Sequence, residues 1–314
     1  MLKKNRFQQH LESLCTDYKQ STFLLAVSGG VDSMVLVNLF ESLNLKFHVA
    51  HVNYHFREED SNLDQKLVED YCKNHHIKFH LKDISEIEKS GMKSLQNWAR
   101  TIRYDFFFKV LKEEKLDFIV TAHHLNDDLE TFIINLSRRS GIKGLSGIPR
   151  NENQILRPLL LFSKSEIYQF AEENKMEFRE DQSNKKDDYL RNKIRNQLTT
   201  KILDIFPDFL NSFQESISHL NAVNHFFQEE IEKVYEEIII SGNENEFILD
   251  KEKLFAKPKI LIIEIIRNLG FTGLEIEKII TSENGKFFRS SSHEISVKRK
   301  KIICKKRYPP LFSS

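Results

Sequence analysis

The chain has 314 residues, of which 40% are hydrophobic, and its formal net charge is +1. This length accommodates two domains, each with its own apolar core. A nearly neutral chain offers no global attraction for nucleic acid or membranes, so any charged ligand has to be met by local clusters. The three cysteines lie far apart and form no CxxC pair, so they suggest neither a disulfide framework nor a zinc or iron–sulfur site.

The amino terminus, MLKKNRFQQH, leads into mixed polar sequence without an apolar signal-peptide core. No later run approaches the roughly 20 apolar residues that a membrane span needs. Together with the cysteine usage, these features predict a protein of the cytoplasm, in a reducing environment and without a membrane partner.

Short β-rich runs alternate with longer amphipathic segments from Phe23 to Leu136. The predicted strands are FLLAV, KFHVAHV, IKFHLKD and DFIVTA, and helical patterns separate and follow them. Such alternation implies parallel strands joined by helical crossovers. The sequence therefore predicts an α/β fold with a doubly wound, mostly parallel sheet.

The pattern changes after GIKGLSGIP. A polar loop is expected at 180–188, followed by the helical stretch YLRNKIRNQL, and a long helical pattern runs from Phe209 to Ile240. The remainder mixes short strands with helices. We predict one domain at 1–215, then a linker helix and a smaller α+β domain at 216–314.

The sequence SGGVDS, at Ser28–Ser33, lies where the first strand gives way to a helix. Ligands of open α/β sheets bind outside the carboxyl ends of strands. Gly29 and Gly30 let the backbone approach a ligand closely, and N–H groups at a helix start favour an anion. With two serine hydroxyls added, the loop is suited to phosphate. The plain alternative is a Gly-Gly turn capped by Asp and Ser.

Asp32 is unexpected in a phosphate loop, because its carboxylate would repel phosphate unless a cation lies between them. We therefore predict a Mg²⁺ ion at Asp32, with Asp127 as a second ligand. The chain contains neither a GxxxxGK[ST] loop nor a GxGxxG fingerprint, so two common nucleotide-binding motifs are excluded.

The SGGVDS sequence resembles the loop of the PP-loop ATP pyrophosphatases, which split ATP between its α and β phosphates and use the adenylate to activate an oxygen. Further segments are AHVNYHFREED, ARTIRY, TAHHLNDDLET, GIKGLSGIP, RPLL and DQSN with YLRNKIR. In order and spacing they resemble the tRNA(Ile)-lysidine synthetases. The similarity is close between residues 20 and 215 and looser beyond.

This resemblance implies a ligase that uses ATP and Mg²⁺ to adenylate C2 of the wobble cytidine in a CAU-anticodon tRNA(Ile). Free L-lysine then displaces AMP and leaves lysidine. Longer members carry a second C-terminal domain, which this chain is expected to be too short to hold in full, so it resembles either the shorter architecture or a truncated version. Whether the protein forms a homodimer is left open.

Site residues follow from the resemblance and from the chemistry it requires. The nucleotide-binding candidates are Ser28, Gly29, Gly30, Val31, Asp32, Ser33, His51 and Asn53. The catalytic candidates are Asp32, Arg103, Asp127 and Glu130. The candidates for tRNA contact are Arg191, Lys193 and Arg195.

Physical reasons support several of these assignments. An arginine such as Arg103 stabilises charge on the α-phosphate and pyrophosphate. Asp127 and Glu130 share one helix face, and a carboxylate pair can bind and deprotonate the lysine ammonium. Asn126 occupies the first aspartate position of the family's HHxDDxxET pattern, and Asp128 receives no role.

Plainer interpretations stay open for several candidates. His51 and Asn53 fit the end of a strand, and the cations of YLRNKIRNQ fit a solvated helix face. His123 and His124 are either metal ligands or packed, hydrogen-bonded side chains. The basic segment VKRKKIICKKR contacts the tRNA stem or forms a lysine-rich edge strand.

Two rival functions differ in class. One is another PP-loop enzyme, a tRNA thiolase or an amidotransferase-type ligase, against which the missing CxxC and the missing N-terminal nucleophilic cysteine argue. The other is a non-catalytic, nucleotide-dependent RNA-binding module that kept the loop and lost turnover.

Overall fold

The computed structural model describes residues 1–56, 59–84, 95–179, 190–243 and 245–307. The polar loop expected at 180–188, with its DQSN sequence, lies outside the described residues.

Contacts between residues divide the chain into two compact units, Met1–Asn221 and Ala222–Ser314. The division falls inside the helix Phe209–Ile238. The bounds of this helix are close to those of the helical pattern expected from Phe209 to Ile240. The domain boundary placed at residue 215 stays a prediction.

Within the described residues of the first unit, six strands form one sheet. They are β1 (Thr22–Ala26), β2 (Lys46–Asn53), β3 (Phe79–Asp83), β4 (Phe118–Thr121), β5 (Asn151–Glu152) and β6 (Ile155–Leu156). Their order is β3-β2-β1-β4-β6-β5, and the pairs are parallel except for the β5–β6 pair. The predicted α/β fold with a mostly parallel sheet is confirmed. The chain reverses its direction of strand addition between β1 and β4, and such a switch point is where open α/β sheets bind ligands.

Helices precede, connect and follow these strands. They are α1 (Lys4–Leu14), α2 (Val31–Ser42), α3 (Glu59–Asn74), α4 (Leu95–Glu113), α5 (Leu125–Ser137), α6 (Ile142–Leu145), α7 (Lys164–Glu173), α8 (Leu190–Lys193), α9 (Thr200–Ile205) and α10 (Phe209–Ile238). A π-helical turn, Ile194–Thr199, joins α8 to α9.

The sheet is apolar on both faces because helices cover both of them. Alternation along β1 sends Phe23 to one side and Leu24 to the other. Phe23 packs edge-on against Phe40 of α2, with ring centroids 5.2 Å apart. Leu24 lies in a second cluster with Ala50 and with Phe107 of α4. The two buried faces hold the carboxyl ends of β1 and β4 in fixed positions.

The second unit contains an antiparallel sheet with helices packed against it, within the described residues. Its strands are β7 (Ile239–Gly242), β8 (Glu246–Asp250), β9 (Phe287–Arg289), β10 (His293–Val297) and β11 (Lys301–Lys306), in the order β7-β8-β11-β10-β9. Its helices are α11 (Lys251–Phe255), α12 (Lys259–Asn268) and α13 (Gly273–Ile280). Buried isoleucines of α12 and α13 contribute to its core. The predicted α+β character is confirmed.

Across the described residues, every helix is either too short or too polar to cross a bilayer.

Candidate active site

The SGGVDS loop and the start of α5 are neighbours because the strands that precede them are paired. β1 and β4 run parallel, and Ala26 is aligned with Thr121 near their carboxyl ends. The loop follows β1, and α5 follows β4 after a short connection. Two motifs that are about 95 residues apart in the sequence therefore lie at one edge of the sheet, as the topology of parallel strands requires.

The hydroxyl groups of the SGGVDS loop hold it together. Ser33 Oγ donates to the Gly30 carbonyl at 2.9 Å and accepts the N–H of Ser28 at 3.2 Å. Gly29 has φ +91°, a conformation that side-chain-bearing residues rarely adopt. A Cβ on Gly29 would also lie 3.1 Å from the carbonyl oxygen of Asp64. The turn therefore requires glycine at this position.

Arg179 supports the loop from a distant part of the sequence. Its N–H donates to the Gly29 carbonyl at 3.1 Å, and the residue forms an isolated parallel bridge with Gly30. Its guanidinium donates to Asp60 and Asp64, each at 2.8 Å. Arg179 was not identified from the sequence, because no sequence pattern links it to Gly29, Asp60 or Asp64, which lie more than 100 positions away.

Asp32 lies in the first turn of α2, and its two carboxylate oxygens have different surroundings. Oδ2 is 3.5 Å from Lys164 Nζ and 3.8 Å from His124 Nε2. Oδ1 is buried and has no hydrogen-bond partner among the described residues. A buried carboxylate oxygen without a partner suits a hard cation, so the donor set at Asp32 fits Mg²⁺. Lys164 was not identified from the sequence.

The start of α5 carries a reciprocal cap. His124 Nδ1 accepts the N–H of Asp127 at 3.4 Å, and Asp127 Oδ2 accepts the N–H of His124 at 3.1 Å. His124 Nε2 lies between the two carboxylates, 3.5 Å from Asp127 Oδ2 and 3.8 Å from Asp32 Oδ2. His124 therefore links the SGGVDS loop to α5.

His123 hydrogen-bonds to its own strand. Its Nδ1 is 2.8 Å from Thr121 Oγ1, and burial lowers the pKa of His123 to about 4. The imidazole is neutral at physiological pH. Both adjacent histidines have hydrogen-bond partners, in agreement with the plainer of their two interpretations.

Asp127 and Glu130 share one face of α5, and an arginine lies against both. Arg195 Nε donates to Glu130 Oε1 at 2.6 Å, and its terminal nitrogen reaches Glu130 Oε2 at 3.0 Å and Asp127 Oδ1 at 3.1 Å. Arg191 Nε is 3.3 Å from Glu130 Oε2. Glu130 is only 1% exposed, so these cations offset the cost of burying its charge.

This arrangement differs from the expected position of the basic side chains at the rim of a crevice. Arg195 turns toward α5 because the buried Glu130 carboxylate needs a cation. The π-helical turn, in which Arg195 lies, locally changes which side chains face α5. Lys193 is exposed. Contact of Arg191, Lys193 and Arg195 with tRNA stays a prediction.

The two carboxyls of this pair have different proton affinities. Burial alone would raise the pKa of Asp127, but His124, His123 and Arg195 outweigh it and lower the pKa to about 2. Burial raises the pKa of Glu130, and the bond to Arg195 only partly offsets this. Asp127 therefore stays ionised, and Glu130 is the better proton acceptor of the two.

Asp128, to which the sequence analysis assigned no catalytic role, stabilises a neighbouring segment of the chain. Its Oδ1 accepts the N–H of Ile148 at 2.6 Å. Gly147 has φ +77°, and a Cβ there would collide with the Asp128 carboxylate. Burial raises the pKa of Asp128 to about 6. Asp128 thus anchors the GIKGLSGIP segment to α5.

Arg103 is exposed on α4 and close to Tyr54, where burial raises the pKa of the Tyr54 hydroxyl and the Arg103 charge partly offsets this. His51 is buried and its ring donates to the Val27 carbonyl at 2.8 Å. The amide of Asn53, also buried, donates to Gln65 Oε1 at 2.8 Å. These contacts support the strand ends, and the catalytic and nucleotide-binding roles of the three candidates stay predictions.

Comparison with known proteins places the chain in a family. Residues 3–202 match the PP-loop domain, and residues 241–307 match a domain described as the TilS substrate binding domain. The chain therefore belongs to the PP-loop domain family.

Curated relatives of this chain are named tRNA(Ile)-lysidine synthase, which confirms the resemblance seen in the sequence. The protein of Bacteroides thetaiotaomicron is 34% identical over 83% of this chain and 61% of its own length. The protein of Chlorobaculum tepidum is 37% identical over 68% of this chain and 66% of its own length. The chain thus spans less than two thirds of the length of these relatives.

A solved structure supports the fold assignment. The U34-tRNA thiolase NcsA from Methanococcus maripaludis has a TM-score of 0.56 and 18% identity, over 69% of this chain and 78% of that protein. At this identity the likeness concerns the fold alone.

Proposed function

We propose that the protein ligates free L-lysine to C2 of the wobble cytidine of a CAU-anticodon tRNA(Ile). In the first step the cytidine O2 attacks the α-phosphate of ATP, and pyrophosphate leaves. In the second step an amine of lysine attacks C2, and the C2–O bond breaks to release AMP. The products are lysidine in the tRNA, AMP and pyrophosphate.

The observation that carries this proposal is the proximity of the SGGVDS loop to the carboxylate pair. Asp32 and Asp127 both lie within 4 Å of His124 Nε2. An ATP-binding loop and a site for an amine nucleophile are what a two-step ligation through an adenylate requires. The names of the curated relatives support the choice of lysine and tRNA(Ile).

For the adenylation step, we assign ATP to Ser28–Ser33, with the helix start of α2 facing the phosphates. Asp32 would hold a Mg²⁺ ion, which would neutralise charge on the phosphates. Lys164, 3.5 Å from Asp32 Oδ2, adds a positive charge at the same place. Arg103 stays a candidate for contact with pyrophosphate.

For the transfer step, we assign the lysine amine to Asp127 and Glu130. The guanidinium of Arg195 binds the carboxylate oxygens of Asp127 and Glu130, to which the lysine ammonium would also bind. Substrate lysine therefore has to compete with Arg195 or displace it. Glu130 has the raised pKa and is the proposed base that removes a proton from the ammonium. Asp127, which stays ionised, holds the amine in place.

For tRNA binding, we propose that Arg191 and the exposed Lys193 contact phosphates near the anticodon. The second unit, which matches the substrate binding domain, offers a further basic surface on β11 and after it. Lys305, Lys306 and Arg307 are exposed there. Homodimer formation stays a prediction that a measurement of molar mass in solution can test.

The thiolase alternative is not favoured. Cys72 and Cys304 are buried, and burial raises the pKa of each thiol to about 12. Thiols of this kind are poor nucleophiles and poor metal ligands. The non-catalytic alternative would require that the protein bind ATP and tRNA without releasing pyrophosphate.

The test is incorporation of radiolabelled lysine into tRNA(Ile) with a CAU anticodon, in the presence of ATP. A tRNA(Met) with the same anticodon is the matched control. We expect label in tRNA(Ile) alone. Pyrophosphate release with a different acceptor and no lysine label would keep the ATP loop and reject the lysine assignment, and ATP binding without pyrophosphate release would favour the non-catalytic module.

A further inference from the structure

Three potential metal ligands meet in the first unit, away from the carboxyl ends of its strands. His48 is the third residue of β2, and His80 is the second residue of β3. Ala50 is aligned with His80 across the strand pair, so His48, Ala50 and His80 share the face that α4 covers. Glu114 follows directly after α4. Adjacent strands and the end of a helix thus bring these side chains together.

The distances between the three groups suit a shared ion. His48 Nδ1 is 3.1 Å from His80 Nε2 and 4.0 Å from Glu114 Oε2, and all three ligand atoms lie within 4.8 Å of one another. Two nitrogens that bind one tetrahedral Zn²⁺ at about 2.0–2.1 Å are about 3.4 Å apart. Only small side-chain movements separate the present arrangement from a coordinated one.

We propose that His48, His80 and Glu114 bind a divalent transition-metal ion of the Zn²⁺ class. Imidazole and carboxylate together favour such ions over Mg²⁺ or Ca²⁺, and three protein ligands leave a fourth position for water. The bound ion would join β2, β3 and the end of α4. Its role is to stabilise the first unit, and it takes no part in the ligation chemistry.

Lys78 competes with the ion in this site. Its Nζ is 2.5 Å from Glu114 Oε2, so the lysine provides the positive charge when no metal is bound. A metal ion has to displace Lys78 from Glu114. Removing the lysine charge should therefore strengthen metal binding.

The experiment measures binding of Zn²⁺ by calorimetry, and of Co²⁺ by its visible absorption, to the full chain after treatment with a chelator. We expect one ion per chain and a rise of several degrees in unfolding temperature with Zn²⁺. His48→Gln and His80→Gln should each weaken binding at least tenfold. Glu114→Gln, a change near the surface, should also weaken it, whereas Lys78→Gln should tighten it severalfold.

The matched control is His225→Gln, which removes an exposed histidine paired with Glu229 in the second unit. Its metal affinity should equal that of the unchanged protein. Absence of one-to-one binding would overturn the proposal, as would binding that survives both His48→Gln and Glu114→Gln. His48 and His80 would then be a hydrogen-bonded pair only.

Discussion

The SGGVDS loop keeps its shape through its own hydroxyl groups and a backbone contact with Arg179, whereas the carboxylate pair on α5 depends on charges that arrive from distant parts of the chain. Ser33 bonds to Gly30 three residues away, but Arg195 reaches Glu130 across 65 residues. Hydrogen bonds of backbone and hydroxyl groups thus shape the loop for a ligand. The carboxylate pair is already neutralised by a cation, so its substrate must compete with an internal partner.

Asp32→Asn is the variant that tests the SGGVDS loop, and it has the largest expected effect. The change removes the charge that would hold Mg²⁺ against ATP, so we expect pyrophosphate release to fall roughly 100- to 1,000-fold. Asp70→Asn, an exposed change on α3, is the control and should leave the rate unchanged. A measurement of pyrophosphate release with ATP and tRNA decides this. Unaltered release in Asp32→Asn would remove Asp32 from the reaction.

Asp127→Asn is the corresponding test of the carboxylate pair on α5. An asparagine oxygen can still accept the N–H of His124 and keep the cap, but the charge that would hold the lysine amine is lost. We expect lysine transfer to fall roughly 10- to 100-fold, with ATP affinity changed less than about threefold. Rates of lysine incorporation and equilibrium ATP binding give the two numbers. Equal losses in lysine incorporation and ATP affinity would show that the SGGVDS loop and the carboxylate pair do not have separate roles.

Arg195→Met tests whether the cation stabilises the fold as well as the site. Among the described residues, Glu130 would then keep Arg191 as its cationic partner, so we expect the free energy of unfolding to fall by about 2 kcal/mol. Lys193→Met, on the same helical stretch and exposed, should change it by less than about 0.5 kcal/mol. Denaturant unfolding measures both. Recovery of stability in the double variant Arg195→Met with Glu130→Gln would confirm that the loss comes from an unpaired buried carboxylate.

The smallest expected effect concerns Asp128 and pH. Its pKa in the folded protein, about 6, lies above the value of 3.8 for an exposed aspartate, so the folded state binds its proton more tightly. Its contribution to stability therefore grows as pH falls from 6 toward 4, by about 1 to 2 kcal/mol.

Asp128→Asn should remove this contribution while keeping an oxygen for the N–H of Ile148. The difference in unfolding free energy between the two proteins, measured at pH 6 and pH 4, isolates Asp128 from other titrating groups. A difference that does not change with pH would mean that the Asp128 carboxyl titrates normally.

The parts of the fold that the sequence predicted correctly are those with local patterns. β1 and β4 are mostly apolar runs, whereas β2 and β3 mix apolar and polar residues in short β-rich runs. In SGGVDS, the paired glycines indicate a tight turn. The two-residue strands β5 and β6 were not predicted, because a segment of that length shows no periodicity.

The partners of the site residues were not predicted, since they are set by tertiary packing. No sequence pattern around Lys164 predicts its approach to Asp32. Likewise, none around Arg179 predicts its contact with Gly29. One available signal was overlooked: Arg191 and Arg195 are four residues apart, the spacing of a helix face that can meet a carboxylate pair on a neighbouring helix.

The central claim is that the SGGVDS loop performs adenylation and the carboxylate pair performs lysine transfer. The most direct measurement uses ATP labelled in its α-phosphate, with tRNA(Ile) and no lysine, followed by addition of lysine. The account predicts label on the tRNA, discharged as AMP when lysine is added, and retained in Asp127→Asn. Lysine incorporation without any labelled tRNA intermediate, or discharge from Asp127→Asn at the unchanged rate, would contradict it.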